Sequence, residues 1–472
     1  VNRGLRVGGA AVAAGLLVGC APAAPPRPNL VLITLESMRT DHVGAYGGGA
    51  PGRPELPTTP HLDAFAAQAL RFDDAHAVSS WTLTAHASLF TGLYPNAHQA
   101  VRPLDRLSDS FPTLAEALRA AGYQTVGVAS GPYLRRAHNL SQGFEIWDDG
   151  IASLTSRLAH DDVTNPAMQE ALERFLTEQR DPARPFFLFA YYWDPHYDYR
   201  PPPPYDTMFV GPDAKPVDLA RYETNPAIRP DMDPAQLRYV LSQYAGEIRW
   251  TDEYLGRFFE LLERQGLWQD TAILVTADHG EEFFDHGEKG HKNNLFTESL
   301  HVPLLLKLPG AGRAGVDRRL ASQVDVLPTL LELAGVEPDF PHQGRSLLEP
   351  DPAPGRPILF DLLSIWYHRR EDGSSFEVSD RWHGVRAGAR KLVWREGERG
   401  PPQHLLFDVE RDPRERVDLA ASSAAQVAEL ESVYEAQQRE AEAIAARHPP
   451  GGTAALTPRE IESLRALGYV DH

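Results

Sequence analysis

Leu30-Val31-Leu32-Ile33-Thr34-Leu35 runs directly into Glu36, Ser37, Arg39, Asp41 and His42. A continuous aliphatic and β-branched run, without polar alternation, is the pattern of a strand covered on both faces, as in a parallel sheet. In open α/β sheets ligands gather at the carboxyl ends of central strands, which makes Glu36 a site candidate. On this segment alone a carboxylate serving a helix N-terminus explains Glu36 equally well.

Two further runs have the same form. Pro185-Phe186-Phe187-Leu188-Phe189-Ala190-Tyr191-Tyr192 ends in Trp193-Asp194-Pro195-His196. Ala272-Ile273-Leu274-Val275-Thr276-Ala277 ends in Asp278-His279-Gly280-Glu281-Glu282, and a polar loop then carries His286, His291 and Lys292. Three buried strands ending in Glu, His and Asp-His point to one convergent cluster. Mixed imidazole and carboxylate donors suit a divalent metal such as Zn, Mn or Mg.

Between these strands the spacing predicts helices at 61–72, 113–121, 166–180, 233–265 and 325–334, and strands at 124–129 and 302–308. This alternation defines an α/β chain. Beyond Pro350 the texture changes to shorter alternating strands, around 384–394 and 404–409, followed by helices at 422–447 and 457–467. The last carries Thr457 and Glu460 at capping-box positions. A small antiparallel C-terminal subdomain with helices, residues 351–472, is expected beside a larger domain at 29–350.

A fourth stretch runs from Ser79-Ser80-Trp81-Thr82-Leu83-Thr84-Ala85-His86 to Gly92-Leu93-Tyr94-Pro95. It places hydroxyls and an imidazole where a loop enters a buried helix, a common mounting for a nucleophile. Ordinary Ser/Thr capping gives the same local pattern, so the three strand ends are what raise Thr82 to a candidate.

A formal net charge of -19 leaves no basic field for a nucleic acid, so an anionic substrate needs a local metal or a Lys/His cluster. The single cysteine, Cys20, rules out an internal disulfide and any multi-cysteine site. Arg3 and Arg6 precede an apolar run too short to span a bilayer, which ends in Leu17-Val18-Gly19-Cys20. This end resembles a bacterial lipobox. The expectation is a lipoprotein signal peptide at 1–20, with Val1 an alternative start, lipidation at Cys20, a Pro-rich tether at 21–28, and export to the periplasmic or cell-surface side of a bacterial membrane.

The motifs taken together resemble the sulfatase family of the alkaline-phosphatase superfamily. The residues that carry the resemblance are the run from Val31 to Glu36 with Arg39 and Asp41-His42, then Ala87-Ser88-Leu89-Phe90-Thr91-Gly92-Leu93-Tyr94-Pro95, Asp194-Pro195-His196, Asp278-His279-Gly280-Glu281 and His301-Val302-Pro303-Leu304. Gln343-Gly344-Arg345-Ser346-Leu347 and the tail Leu464-Arg465-Ala466-Leu467-Gly468-Tyr469 are similar to family members as well.

The resemblance implies an α/β/α sandwich with a large mixed, mainly parallel sheet. It also implies one divalent metal ion (Ca, Mn, Mg or Zn) on Glu36, Asp278, His279 and the Thr82 oxygen. His196 and Lys292 fall at the family's substrate-anion and leaving-group positions, with His291 a second donor, and His86 replaces the family's Arg and is read as orienting Thr82. Asp41 is read as a partner to the ligands, and His286 and His61 as structural or rim residues. Two positions depart from the family: Glu36 stands where an Asp is usual, and Thr82 stands where a Cys or Ser becomes formylglycine.

Threonine cannot make formylglycine, so the expected chemistry is formylglycine-independent. The set Glu36, Thr82, Asp278 and His279 also looks like the single-metal site of lipoteichoic acid synthases and lipid A phosphoethanolamine transferases. The readings left open are a hydrolase of small-molecule, glycan or lipid sulfate or phosphate esters, a phosphodiesterase or phosphotransferase, and a catalytically silent lipid-anchored binding protein.

Overall fold

The protein is described by a computed structural model covering residues 1, 4, 27–153, 164–310, 312–350, 356–369, 375–466 and 469–470. The expected signal peptide, Cys20 and most of the expected tether lie outside these residues, as do Leu467 and Gly468 of the tail motif.

Among the described residues, ten strands are laid down before the change of texture: β1 (Asn29–Leu35), β2 (Leu70–His76), β3 (Gln124–Ala129), β4 (Ile146–Asp148), β5 (Phe186–Tyr192), β6 (Thr271–Ala277), β7 (Glu282–Phe283), β8 (Lys289–Gly290), β9 (Leu304–Lys307) and β10 (Gly315–Ser322). Eight form one sheet in the order β10-β2-β9-β6-β1-β5-β3-β4, and β7 and β8 pair separately. Only β9 runs against its neighbours in the large sheet, which is therefore mixed and mainly parallel. The C-terminal part adds an antiparallel meander of β11 (Ile358–Arg369), β12 (Ser375–Ala387), β13 (Arg390–Gly397) and β14 (Gln403–Asp408).

The three apolar runs become adjacent strands at the middle of the sheet. β1 lies between β5 and β6, with Leu35 level with both Tyr192 and Ala277. Every residue of β5 and β6 is buried, as the unbroken apolar pattern requires when both faces are covered. Side-chain alternation on β5 shows what covers them. Phe187 and Phe189 meet Phe144, and Phe189 and Tyr191 meet His86, from the helix Thr82–Thr91; Phe186 on the opposite face meets Phe175. The helix Pro234–Arg264 packs with Pro60–Ala66 and Asn165–Arg174, while Thr82–Thr91 packs with Leu114–Ala120 and Val326–Leu333. The result is an α/β/α sandwich.

One predicted element is wrong in type. The expected helix at 61–72 stops at Ala66, and Leu70 to His76 form β2. Leu62, Phe65 and Phe72 satisfy helical spacing, but pairing of β2 with β9 and β10 outweighs that local preference. Strands β10 and β11, which carry no distinctive signal in the sequence, fill the sheet edge and start the meander. Thr113 does cap its helix, exchanging bonds with Glu116, and Thr457 and Glu460 do the same at the tail helix.

Candidate active site

Because Leu35 is in register with Tyr192 and Ala277, the chain leaves three adjacent strands at one level, and Glu36, Trp193 and Asp278 start there. The Asp278 amide donates to the Leu35 carbonyl at 3.2 Å and the Glu36 amide to the Tyr192 carbonyl at 3.0 Å, so both acids are fixed by backbone bonds that prolong the ladder. Thr82 is the first residue of the helix Thr82–Thr91, all of it buried, and the helix closes at Gly92 in the left-handed region (φ 66°). Trp81 at the N-cap makes no side-chain bond to the amides of the first turn.

The Thr82 hydroxyl stands 3.3 Å from His279 Nε2 and 3.5 Å from Glu36 Oε2. His279 donates its Nδ1 proton to the Gly280 carbonyl at 2.9 Å, which leaves the Nε2 lone pair facing the centre. That nitrogen is 3.4 Å from Glu36 Oε1 and 3.5 Å from Asp278 Oδ2. Asp278 Oδ1 accepts from the amides of Ser37 and His279, whereas Oδ2 is buried with no hydrogen-bond partner. Two carboxylates, one imidazole nitrogen and one hydroxyl, with Asp278 Oδ2 lacking any hydrogen bond, thus converge in a buried space. Such a donor set fits a divalent cation and is otherwise unfavourable.

The titration behaviour follows the geometry. Burial, then the neighbouring Asp278 charge, pushes Glu36 up to about 8. Burial pushes Asp278 up to about 7, and burial lowers His279. Glu36 is held by Ser37, which donates to Oε1 at 2.8 Å, and by the Tyr191 hydroxyl, which donates to Oε2, the two oxygens that face His279 and Thr82.

A second group of side chains adjoins the first. His291 packs against His279 with ring centroids 4.6 Å apart, and its Nδ1 lies 3.4 Å from Glu281 Oε1, another buried carboxylate oxygen without a hydrogen bond. Glu36, His279 and His291 also bring ligand atoms close enough to share one ion. His196 stacks on Trp193 at 3.8 Å and donates Nδ1–H to the Tyr197 carbonyl at 2.6 Å, leaving Nε2 as an acceptor. Lys292 adopts a left-handed backbone (φ 62°), its carbonyl held by Ser364 of β11, and its ammonium lies 3.4 Å from Glu223.

Of the residues singled out from the sequence, Glu36, Thr82, Asp278 and His279 meet at one point, with His291 against them and His196 and Lys292 at the adjoining rim. His86 lies beneath the first turn of the helix. Its Nδ1 bonds the Thr82 carbonyl at 2.8 Å and its Nε2 faces the Thr34 hydroxyl at 2.9 Å, so it touches the backbone of Thr82. Burial takes His86 down to about 3, which keeps it neutral. Asp41 pairs with Arg39 and His42 away from the cluster, His286 faces Glu298, and His61 lies near Glu253.

Sequence reasoning did not assign roles to Tyr191, Ser37, Glu281, Glu223 or Tyr469. Glu281 belongs to the same strand-end run as Asp278, and Ser37 follows Glu36, so proximity in sequence could have raised both. Tyr191 reads as one more apolar strand residue, and Tyr469 lies some four hundred residues from Thr82.

This arrangement belongs to a recognised class. The sulfatase family profile matches residues 28–336, and the profile of the C-terminal region of N-sulphoglucosamine sulphohydrolase matches residues 285–441. The chain belongs to the sulfatase family.

Two curated relatives are each 26% identical. The multifunctional alkaline phosphatase superfamily protein PehA of Trinickia caryophylli aligns with 84% of this chain and 92% of its own length, and an arylsulfatase of Clostridium perfringens with 84% and 91%. Among solved structures, a complex with the substrate D-glucosamine-2-N,6-O-disulfate superposes with a TM-score of 0.70 at 21% identity, covering 88% of this chain and 98% of that one. The phosphonate monoester hydrolase of Agrobacterium radiobacter superposes at 0.65 and 23% identity, covering 90% and 96%.

Proposed function

We propose that this protein is a metal-dependent hydrolase of sulfate or phosphate-type monoesters that uses the unmodified Thr82 hydroxyl as its nucleophile. The observation that carries the reading is the position of Thr82 Oγ1, 3.3 Å from His279 Nε2 and 3.5 Å from Glu36 Oε2 at the head of a buried helix. A divalent cation held by Glu36, Asp278, His279 and Thr82 would make the threonine oxygen nucleophilic at neutral pH and offset charge on the ester oxygens.

The chain's own groups account for the remaining steps. Thr82 Oγ1, its proton released to solvent, forms a bond to the central sulfur or phosphorus as the bond to the leaving oxygen breaks in line. The helix amides and Lys292 meet the anionic ester oxygens. His291, or His196 once its Nε2 is also protonated, hands a proton to the departing oxygen. A threonine ester has no second hydroxyl with which to expel its burden, so water must attack the central atom and restore Thr82. That route is ordinary for phosphoryl groups, and it makes phosphate and phosphonate monoesters the first substrates to try beside aryl sulfates. The relatives' names, an arylsulfatase, a multifunctional superfamily member and a phosphonate monoester hydrolase, support the same range.

The test is a turnover assay of the metal-loaded protein on 4-nitrophenyl sulfate, phosphate and phenylphosphonate, with Thr82→Ala and Thr82→Ser, and mass spectrometry of the peptide holding Thr82. Turnover retained by Ser and lost about a thousandfold or more by Ala supports the nucleophile. No turnover with any metal, or an undiminished Thr82→Ala variant, overturns it. The leader adds the proposal that the enzyme works tethered through Cys20, which a diacylglyceryl mass on the processed N-terminus would establish.

A further inference from the structure

One side chain from the C-terminal tail places its hydroxyl between both rim histidines. Tyr469 is 2% exposed, and its hydroxyl lies 2.8 Å from His196 Nε2, 3.2 Å from His291 Nε2 and 3.4 Å from the Tyr197 hydroxyl. Since His196 Nδ1 already donates to the Tyr197 carbonyl, the phenol donates to His196 Nε2. The Lys292 ammonium sits over its ring at 4.5 Å, and Trp81 and Tyr133 flank the ring at 5.1 and 5.2 Å.

The tail is aimed there by its own contacts. The helix Pro458–Ala466 is fastened by an ion pair of Glu460 with Arg135 at 2.9 Å, and the Tyr469 amide turns back to the Leu464 carbonyl at 2.9 Å. With this phenol in place, Thr82, His196, His291 and Lys292 are all at most 5% exposed.

We propose that Tyr469 is a built-in occupant of the leaving-group subsite: the slot between His196, His291 and the rings of Trp81 and Tyr133 accepts a phenolic hydroxyl, and a substrate's leaving group enters by exchanging with the tail tyrosine. The inference rests on the reading that the two histidines serve the leaving oxygen. The two imidazoles that meet the Tyr469 oxygen would, once protonated at Nε2, meet a departing phenolate oxygen in the same place, with the Lys292 ammonium over the ring, and the aromatic walls fit a six-membered ring. Tyr469 is then a specificity-determining residue. It sets a threshold of displacement that a leaving group able to fill the slot meets and a smaller one does not.

The probe is p-cresol, the tyrosine side chain as a free molecule, titrated calorimetrically into the full chain and into Tyr469→Gly. The variant should bind p-cresol at least about tenfold more tightly than the parent protein and at least about tenfold more tightly than it binds toluene, because an aromatic-walled void takes an aromatic ligand and the histidines select its hydroxyl. Equal affinity in the two proteins, or toluene binding as well as p-cresol, overturns the proposal.

This readout needs no turnover, so an inactive protein that still shows the p-cresol difference counts against the nucleophile alone. If Tyr469→Gly does not fold, Tyr469→Phe decides the matter. It keeps the ring and removes the hydroxyl, and KM for 4-nitrophenyl esters should fall severalfold. An unchanged KM in folded Tyr469→Phe overturns the proposal.

Discussion

Tyr191 donates its hydroxyl to Glu36 Oε2, the same carboxylate oxygen that faces the Thr82 hydroxyl at 3.5 Å. Thr34 and Tyr191 are register partners on β1 and β5, so the sheet itself carries the phenol to a strand-end acid two residues beyond its partner. A parallel strand pair thereby orients a candidate metal ligand, in the way that outer partners generally fix the direction of a coordinating group. Tyr191→Phe should weaken metal binding about tenfold to a hundredfold while leaving the fold intact. Titration of the chelated protein with Mn²⁺ or Zn²⁺, followed by thermal shift, measures this; an unchanged affinity would show that Glu36 is held well enough by Ser37 alone.

The raised carboxyls give the metal-free protein a pH signature. Glu36, at about 8, and Asp278, at about 7, hold protons in the folded state that the unfolded chain releases near the usual carboxyl range. Their contribution to stability is full below the unfolded values and is lost as pH rises through 7 to 8. Chelated protein should therefore lose several degrees of Tm between about pH 5 and about pH 8, and added metal should restore more at the higher pH. A flat Tm in the chelated protein, or equal stabilisation by metal at both pH values, contradicts the assignment.

Gly280 is tied to close backbone approach. A Cβ there would lie 2.0 Å from the Glu298 carbonyl oxygen, in a segment where the Gly280 amide bonds Ser299 at 2.8 Å and the Glu281 amide bonds Glu298 at 3.1 Å. The Gly280 carbonyl is also what fixes the His279 ring. Gly280→Ala should cost about 1–3 kcal/mol and lower metal affinity together, as overpacked positions displace their neighbours. Urea unfolding and metal titration of the same sample check both effects.

The C-terminal meander is joined to the large sheet by a double ion pair. Arg386 of β12 meets both oxygens of Asp74 on β2 at 2.6 Å, and its Nη1 lies 2.7 Å from His76 Nε2. Burial takes His76 down to about 3, so it stays neutral beside the guanidinium. Arg386→Ala should destabilise by about 1–2 kcal/mol, since it leaves the half-buried Asp74 carboxylate with His76 in place of a bidentate guanidinium, whereas replacing both residues should cost less than the sum. A double-mutant cycle in urea gives the coupling; an additive result would mean that the pair contributes little.

The sequence by itself determined the frame of this protein. Three apolar runs too uniform to be half-exposed had to be central parallel strands, and such strands deliver their following residues to one edge, so Glu36, Asp278 and His279 were legible as a cluster before any coordinates. The Thr82 helix was legible more weakly, because its hydroxyls match ordinary caps.

Tertiary structure decided the rest. Whether residues 70–76 form helix or strand depends on β9 and β10, which lie more than two hundred residues away. The role of His86 follows from which ring nitrogen meets the Thr82 carbonyl, a matter of packing under the helix. Tyr191 and Tyr469 look like core aromatics in sequence, and only the register of β5 against β1 and the docking of the tail helix bring their hydroxyls to Glu36 and to the rim histidines. Local patterns record which face of an element is apolar; they do not record which distant polar tip that face will carry into the site.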